Sequence, residues 1–111
     1  MKKEQKIVDQ WIKQYGVRYF DVLTNLGQLT EEVGELSRIL IRTHGEQTWK
    51  KKEQPHDINK SIAEEMSDII FVVICLANQM KIDLDEAFEL KMKKKTKRDK
   101  QRHTNNIKLK K

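Results

Sequence analysis

Residues 62–78 read IAEEMSDIIFVVICLAN and carry the strongest fold signal in the chain. The segment starts as an amphipathic helix pattern and becomes apolar on every side from Phe71 to Ala77. A helix that is apolar all round has to be covered on all its faces. Three neighbouring helices of the length available here are too few, so we expect a second subunit to cover it through a two-fold interface. The alternative is a central helix in a compact monomer.

Two helices are expected before this segment. The first covers about 3–15 and stops at Gly16. The second covers about 21–44 and stops at Gly45. Its apolar residues recur at the spacing of one helical stripe, namely Leu26, Leu29, Val33, Leu36 and Leu40.

Capping patterns predict where the third and fourth helices begin. Ser61 and Glu64 have the spacing of a capping box, which opens the third helix after an exposed loop at 45–60. Asp83 and Glu86 repeat this spacing before a fourth helix that runs into the basic C-terminal region. The chain is therefore predicted to be all-α, a four-helix bundle-like fold that dimerises.

The chain length fits one domain, and its charge is unevenly distributed. With 111 residues it can bury a modest core without disulfides. We expect a helical domain at 1–103 and a basic, disordered tail at 104–111. Residues 91–111 carry eleven Lys or Arg and one Asp, a net charge of +10, which leaves −4 for residues 1–90 because the whole chain is +6. A basic end beside an acidic body suggests that the protein handles a polyanion with the help of a cation.

Cysteine usage and hydropathy favour a protein of the cytoplasm. Cys75 is the only cysteine, so a disulfide framework is excluded. The longest apolar run, 69–77, is about half of the ~20 residues that a membrane-spanning helix needs. No secretory signal is visible after Met1.

The second and third helices carry similar acidic motifs, EEVGELS at 31–37 and EEMSDI at 64–69. In each motif an acidic pair is followed three residues later by another acid. At about 100° per residue, both motifs place two acids on the same flank of the apolar stripe. These acids are Glu32 and Glu35 on one helix and Glu65 and Asp68 on the other.

Four carboxylates on facing helices predict a divalent metal site between the second and third helices. In a partly buried seam they would repel one another unless a cation neutralised them. Oxygen-only ligation favours Mg²⁺ or Mn²⁺ over zinc. None of the three histidines stands three residues after a motif glutamate, so a di-iron bundle site is not supported. The alternative for each acid is a solvated helix face.

Several charged residues outside this set are further candidates. Glu31 and Glu64 lie further from the stripe and could support the ligands or act as the general base, with ordinary surface acids as the alternative. Lys91, Lys94 and Arg98 recur at three- or four-residue spacing on the fourth helix, which suits phosphate oxygens.

At these motifs the sequence resembles the MazG-like members of the all-α nucleoside triphosphate pyrophosphohydrolase superfamily. The family pattern is E-E-x-x-E followed by E-x-x-D, and the similarity extends from about Tyr19 through Arg98. It implies a Mg²⁺-dependent enzyme that cleaves a (d)NTP to its monophosphate and pyrophosphate, as nucleotide-pool house-cleaning. It also implies a dimer or a dimer of dimers, with Glu32, Glu35, Glu65 and Asp68 as metal ligands and Lys91, Lys94 and Arg98 as phosphate contacts.

The base pocket and the function class have alternatives. The resemblance points loosely to Tyr19, Phe20 and Trp49 for the base, with plain packing or exposed aromatics as the favoured reading. A second function class is a non-catalytic helical module that binds nucleic acid or a partner through its basic C-terminal segment, and a third is a relative that senses nucleotides. The acidic motifs favour the enzyme, since a tail-driven binder would not need them.

Overall fold

The computed structural model describes residues 1–50 and 52–110, and these residues form four α-helices and no strand. The all-α prediction is therefore confirmed. In chain order the helices are α1 Lys2–Trp11, α2 Val22–His44, α3 Ile58–Gln79 and α4 Leu84–Asp99. A π-helical turn, Ile12–Gly16, follows α1, and a short 3-10 helix, Ile107–Lys110, lies in the C-terminal segment. None of the helices in these ranges is long and apolar enough to cross a membrane.

The second and third helices form an antiparallel hairpin, and α1 packs against α3. The Asn25 side-chain amide, near the start of α2, donates to Gln79 Oε1 at the end of α3 over 2.7 Å. The core between α1 and α3 consists of Val8, Ile12, Ile74 and Cys75, with Tyr19 and Leu84 packed against it. Burial raises the pKa of the Cys75 thiol to about 11, so it is a packing residue.

The third helix begins one turn earlier than predicted. Asp57 is the residue before the helix, and its carboxylate accepts the backbone N–H of Lys60 at 3.0 Å. The predicted capping box at Ser61 was wrong, because an aspartate cap upstream satisfies the first turn and places Ser61 inside the helix. At α4 the prediction is confirmed: Asp83 accepts the backbone N–H groups of Asp85 and Glu86.

The first helix also differs from the expected 3–15, because it ends at Trp11 and the π turn carries the chain to Gly16. Val17 then adopts φ 68° and ψ −58°, and the backbone N–H of Arg18 donates to the Gly16 carbonyl over 2.8 Å. This is a γ-turn with positive φ, a rare and strained conformation. A β-branched residue is a poor occupant of that region.

A hydrogen-bond network ties α1 to the end of α3. The Tyr19 hydroxyl donates to Asp9 Oδ1 at 2.7 Å and accepts from the Asn78 amide at 3.0 Å. The Gln5 amide donates to Asn78 Oδ1 and to the Ile82 carbonyl, and Gln5 Oε1 accepts the backbone N–H of Leu84. Burial and the bond to Asp9 raise the pKa of Tyr19 to about 12, so the hydroxyl stays protonated.

The single chain is extended and leaves much apolar surface exposed. Its radius of gyration is 18.1 Å, against about 13 Å for a compact chain of this length. Its accessible surface is 9394 Å², against roughly 6,400 Å² for a folded monomer of 13.2 kDa. Leu23 of α2 is 78% exposed and Phe88 of α4 is 68% exposed. This surface agrees with the expectation of a second subunit.

Candidate active site

The hairpin of α2 and α3 brings three of the four expected carboxylates into one cluster. Carboxylate oxygens of Glu32, Glu65 and Asp68 lie within 4.8 Å of one another. Glu65 and Asp68 are three residues apart, so they are neighbours on the surface of α3. Glu32 reaches them from α2 because the two helices pack along this part of their length. We refer to these three residues as the carboxylate cluster.

The cluster contains two buried oxygens that lack partners. Glu32 Oε2 and Glu65 Oε2 are buried, and neither has a hydrogen-bond partner within residues 1–50 and 52–110. An unpaired buried carboxylate oxygen is costly. A hard divalent cation would satisfy both oxygens and relieve the repulsion between the acids, so the donor set fits Mg²⁺ or Mn²⁺.

Glu35 lies beside the cluster and acts on it electrostatically. It is exposed, and it is not one of the three residues whose oxygens lie within 4.8 Å of one another. Burial, the charge and carboxylate of Glu35 and the carboxylate of Glu32 together raise the pKa of Glu65 to about 7. The structure therefore places Glu35 within electrostatic reach of Glu65. Glu31 and Glu64 are exposed and lie outside the cluster.

An apolar cavity of about 260 Å³ opens one helical turn from the carboxylate cluster. Gln28 precedes Glu32 by one turn, and Val72 follows Asp68 by one turn; both line the cavity. Aromatic side chains supply much of its wall, namely Trp11, Tyr19, Phe20 and Phe71. Trp11 and Phe71 meet edge to face with ring centroids 5.9 Å apart. An aromatic wall beside an acidic cluster can hold a flat ring that carries a charged group.

Sequence reasoning found part of this cavity. Tyr19 and Phe20 were named as candidates for a base pocket, and both line it. Trp11 and Phe71 were missed, because they meet only when α1 packs on α3. Trp49, the third candidate, lies elsewhere.

The sequence from residue 20 to 103 matches the model of the MazG nucleotide pyrophosphohydrolase domain. The chain belongs to this family. The resemblance seen in the acidic motifs is thereby confirmed, and the family places the chain among hydrolases that act on acid anhydrides.

One sequence relative and two solved structures are similar to this MazG-family chain. The uncharacterized protein YpjD of Bacillus subtilis (strain 168) is 42% identical over 104 residues, which is 94% of this chain and 90% of YpjD. A crystal structure described as the putative pyrophosphatase YPJD from Bacillus subtilis superposes with a TM-score of 0.72 at 42% identity, covering 84% of this chain and 91% of that one. The Bacillus-conserved MazG protein, described as a nucleotide pyrophosphohydrolase, superposes with a TM-score of 0.69 at 40% identity, covering 84% and 85%.

The basic candidates of this MazG-family chain form no ion pair with the carboxylate cluster among the described residues. Lys91 and Lys94 are exposed on α4 and form no ion pair among the described residues. Arg98 donates through Nε and Nη2 to its neighbour Asp99 at 3.0 and 2.8 Å, which lowers the pKa of Asp99. Their role as phosphate contacts stays a prediction.

A second basic group lies at the end of α2. The guanidinium carbons of Arg38 and Arg42 lie 5.4 and 5.9 Å from the centre of the Trp49 ring. Arg38 Nη2 also pairs with Glu53 Oε2 at 2.9 Å. Trp49 and Glu53 stand in the loop between α2 and α3, so this contact fastens the loop to α2. The MazG-family chain therefore carries arginines on the helix that supplies Glu32 and Glu35.

Proposed function

We propose that this chain is a Mg²⁺-dependent nucleoside triphosphate pyrophosphohydrolase, which converts a (d)NTP and water to a (d)NMP and pyrophosphate in nucleotide-pool house-cleaning. The observation that carries the proposal is the pair of buried, unpartnered oxygens of Glu32 and Glu65 inside the carboxylate cluster. Membership of the MazG family supports it, and a crystallised relative is described as a nucleotide pyrophosphohydrolase.

Four acids would hold the metal, namely Glu32, Glu35, Glu65 and Asp68. When bound, Mg²⁺ supplies charge neutralisation at the phosphates and a water of lowered pKa, and Mn²⁺ can replace it. The buried Oε2 atoms of Glu32 and Glu65 are shielded from water, so their interaction with a bound cation would be stronger than at the protein surface. Glu31 and Glu64 are exposed, and each is the chain neighbour of a proposed metal ligand, so one of them is the proposed acceptor of the proton of an attacking water.

The apolar cavity is the proposed location of the nucleobase. Tyr19, Phe20 and Phe71 offer ring faces and edges for stacking. Gln28 places an amide group in the same wall, where it can recognise the edge of a base, whereas the Asn25 amide nitrogen already donates to Gln79. Since the cavity begins one turn from the carboxylate cluster, a base bound there directs its ribose and phosphates toward the acids.

The proposed functional unit is a homodimer or a dimer of dimers. The extended shape and the exposed apolar side chains of α2 and α4 support it. A partner subunit would also bring a second copy of α4 near the site, which is one way for Lys91, Lys94 and Arg98 to reach the phosphates. We place the protein in the cytoplasm, in agreement with its single, buried cysteine.

Pyrophosphate release from a panel of canonical and modified (d)NTPs tests the activity. The wild type should release pyrophosphate with Mg²⁺ or Mn²⁺ and release none with EDTA. Asp68→Asn should lose at least about a hundredfold in kcat, as expected for loss of a charge-stabilising group, while its circular dichroism stays unchanged. Glu89→Gln, on the exposed surface of α4, is the matched control. A folded wild type that cleaves no nucleotide under any metal condition would falsify the proposal.

The non-catalytic reading has one observation in its favour, the exposed basic surface of α4 and the residues that follow it. A module of that kind would bind nucleic acid with a steep dependence on salt, because phosphate contacts release counterions. Truncation after Arg98 would abolish that binding. The enzyme reading predicts that the same truncation leaves the carboxylate cluster and its metal binding intact.

A further inference from the structure

We infer that Arg38 and Arg42, held against the indole of Trp49, bind the part of the phosphate chain that leaves as pyrophosphate. This inference rests on the proposed function and adds to it a second phosphate-binding element, distinct from the basic residues of α4. It assigns a role to the loop between α2 and α3, which fastens the two arginines through Trp49 and Glu53.

The positions on α2 support this assignment. Arg38 follows Glu35 by three residues, so the two side chains are neighbours on the helix surface. Arg42 follows Glu35 by seven residues, which at about 100° and 1.5 Å per residue places it about 20° round the helix and about 10 Å further along it. A phosphate chain that starts at the carboxylate cluster and follows α2 toward its C-terminus therefore meets both guanidinium groups.

Arg38 and Arg42 carry more positive charge than their partners in the protein neutralise. Two guanidinium groups share one indole, and among the described residues only Glu53 pairs with them, through Arg38. Arg42 Nη1 donates to the Arg38 carbonyl at 3.2 Å, inside the helix. Arg42 Nε, Trp49 Nε1 and Thr43 Oγ1 are buried without a partner in the ranges that the structure covers. A half-buried cation with unused donors favours an anionic acceptor.

Phosphate is the anion that fits best. Arginine presents a planar fork of donors that matches phosphate oxygens, and stacking on an aromatic ring fixes the orientation of that fork. The neighbouring carboxylates would repel a bare carboxylate ligand, whereas Glu32, Glu65 and Asp68 would hold a cation that neutralises part of the charge of a phosphate chain. The phosphate chain of a nucleotide is also the group that extends away from the base.

The order of the functional groups along α2 matches the order of the groups in a nucleotide. Gln28 lines the apolar cavity, Glu32 and Glu35 follow it, and Arg38 and Arg42 come last. A nucleotide laid along this helix has its base at the cavity, its first phosphate at the carboxylates and its terminal phosphates at the arginines. The arginines then neutralise the negative charge that develops on the leaving pyrophosphate.

Binding of inorganic pyrophosphate to the full-length protein tests this inference without turnover. Isothermal titration with Mg²⁺ present should give a Kd that rises about tenfold to a hundredfold in Arg38→Gln and in Arg42→Gln, the range expected for loss of a charge-assisted hydrogen bond. Arg42→Lys keeps the positive charge but loses the planar set of donors, so its Kd should lie between that of the wild type and that of Arg42→Gln. Arg102→Gln, on the exposed segment after α4, is the matched control and should bind as the wild type does.

A kinetic readout separates phosphate binding from a structural role. If the inference holds, Arg42→Gln raises the inhibition constant of pyrophosphate as it raises the KM of the triphosphate, while circular dichroism and sedimentation stay unchanged. Wild-type pyrophosphate affinity in both glutamine variants would overturn the inference and leave the hydrolase standing. A change in sedimentation without a change in pyrophosphate affinity would also overturn it, because the arginines would then contact a subunit. Arginine-dependent binding of pyrophosphate in a protein that cleaves no nucleotide would reject the hydrolase alone.

Discussion

Replacing Glu65 with glutamine should stabilise the metal-free protein and remove its response to metal. Glu65 has a folded-state pKa of about 7, above its ordinary 4.5, because it is partly buried and lies beside Glu35 and Glu32. Between these two values the folded state holds a proton that the unfolded state has released. The free energy of unfolding therefore falls as pH rises from about 4.5 to about 7, and the penalty is complete above pH 7.

The size of this penalty follows from the two pKa values. Each pKa unit corresponds to about 1.4 kcal/mol, so the full difference sets an upper bound of about 3 kcal/mol. Glu65 is only partly buried, and Glu35 and Asp68 are exposed to water, so we expect about 1–2 kcal/mol after solvent screening. For a chain of this length that is a difference in Tm of roughly 4–10 °C.

Thermal unfolding with EDTA at pH 5 and at pH 8 measures the effect. Glu65→Gln should raise Tm at pH 8 and change it little at pH 5, whereas Glu64→Gln, an exposed neighbour on the same helix, should show no such pH dependence. Excess Mg²⁺ should raise the Tm of the wild type at pH 8 and leave Glu65→Gln unchanged, because binding to the folded state alone stabilises it. A Glu65→Gln protein that is less stable than the wild type at pH 8 without metal would refute the electrostatic reasoning.

Three further substitutions test the fold around the site. Val17→Gly should relieve the strained γ-turn and raise Tm by a few degrees, on the order of 1 kcal/mol; a lower Tm in thermal unfolding would contradict that strain. Tyr19→Phe removes the hydrogen bonds to Asp9 and from Asn78 and should cost about 1–2 kcal/mol in chemical denaturation, and an unchanged midpoint would show that the network contributes nothing. Leu23→Lys places a charge on the exposed apolar surface of α2 and should shift sedimentation toward the monomer; a wild-type sedimentation coefficient would place the interface elsewhere.

The acidic motifs could be interpreted from the sequence because helix geometry fixes what they share. Glu65 and Asp68 are on one face of α3 whatever surrounds the helix. Placing Glu32 opposite them required only that α2 and α3, which are consecutive in the chain, pack as antiparallel neighbours, the commonest arrangement for consecutive elements. The position of the carboxylate cluster therefore follows from local periodicity and one tertiary contact.

Several features could not be predicted from the sequence, because hydrophobic periodicity does not determine which of two caps or which irregular turn the chain uses. Ser61 and Asp57 are both good helix caps, and the structure uses the upstream one because it adds a turn of helix. The π-helical turn that ends at Gly16 has no residue signature. The γ-turn at Val17 has none either, since valine is an unfavourable residue for a positive φ. Trp11 reaches the cavity because α1 lies against α3, a tertiary contact that periodicity does not predict.

The contact between Trp49 and the arginines of α2 could not be predicted from the sequence either, and the sequence pattern directed attention to the basic residues of α4 instead. Lys91, Lys94 and Arg98 attract notice because they repeat, whereas Arg38 and Arg42 lie within a helix already interpreted through its acids. A long flexible side chain acquires a fixed position only when something holds it, and for Arg38 that support is an indole and a carboxylate from the following loop. A charge pattern in the sequence shows only how many charged residues a segment holds. Binding also depends on whether each charged group has a fixed position in the folded protein.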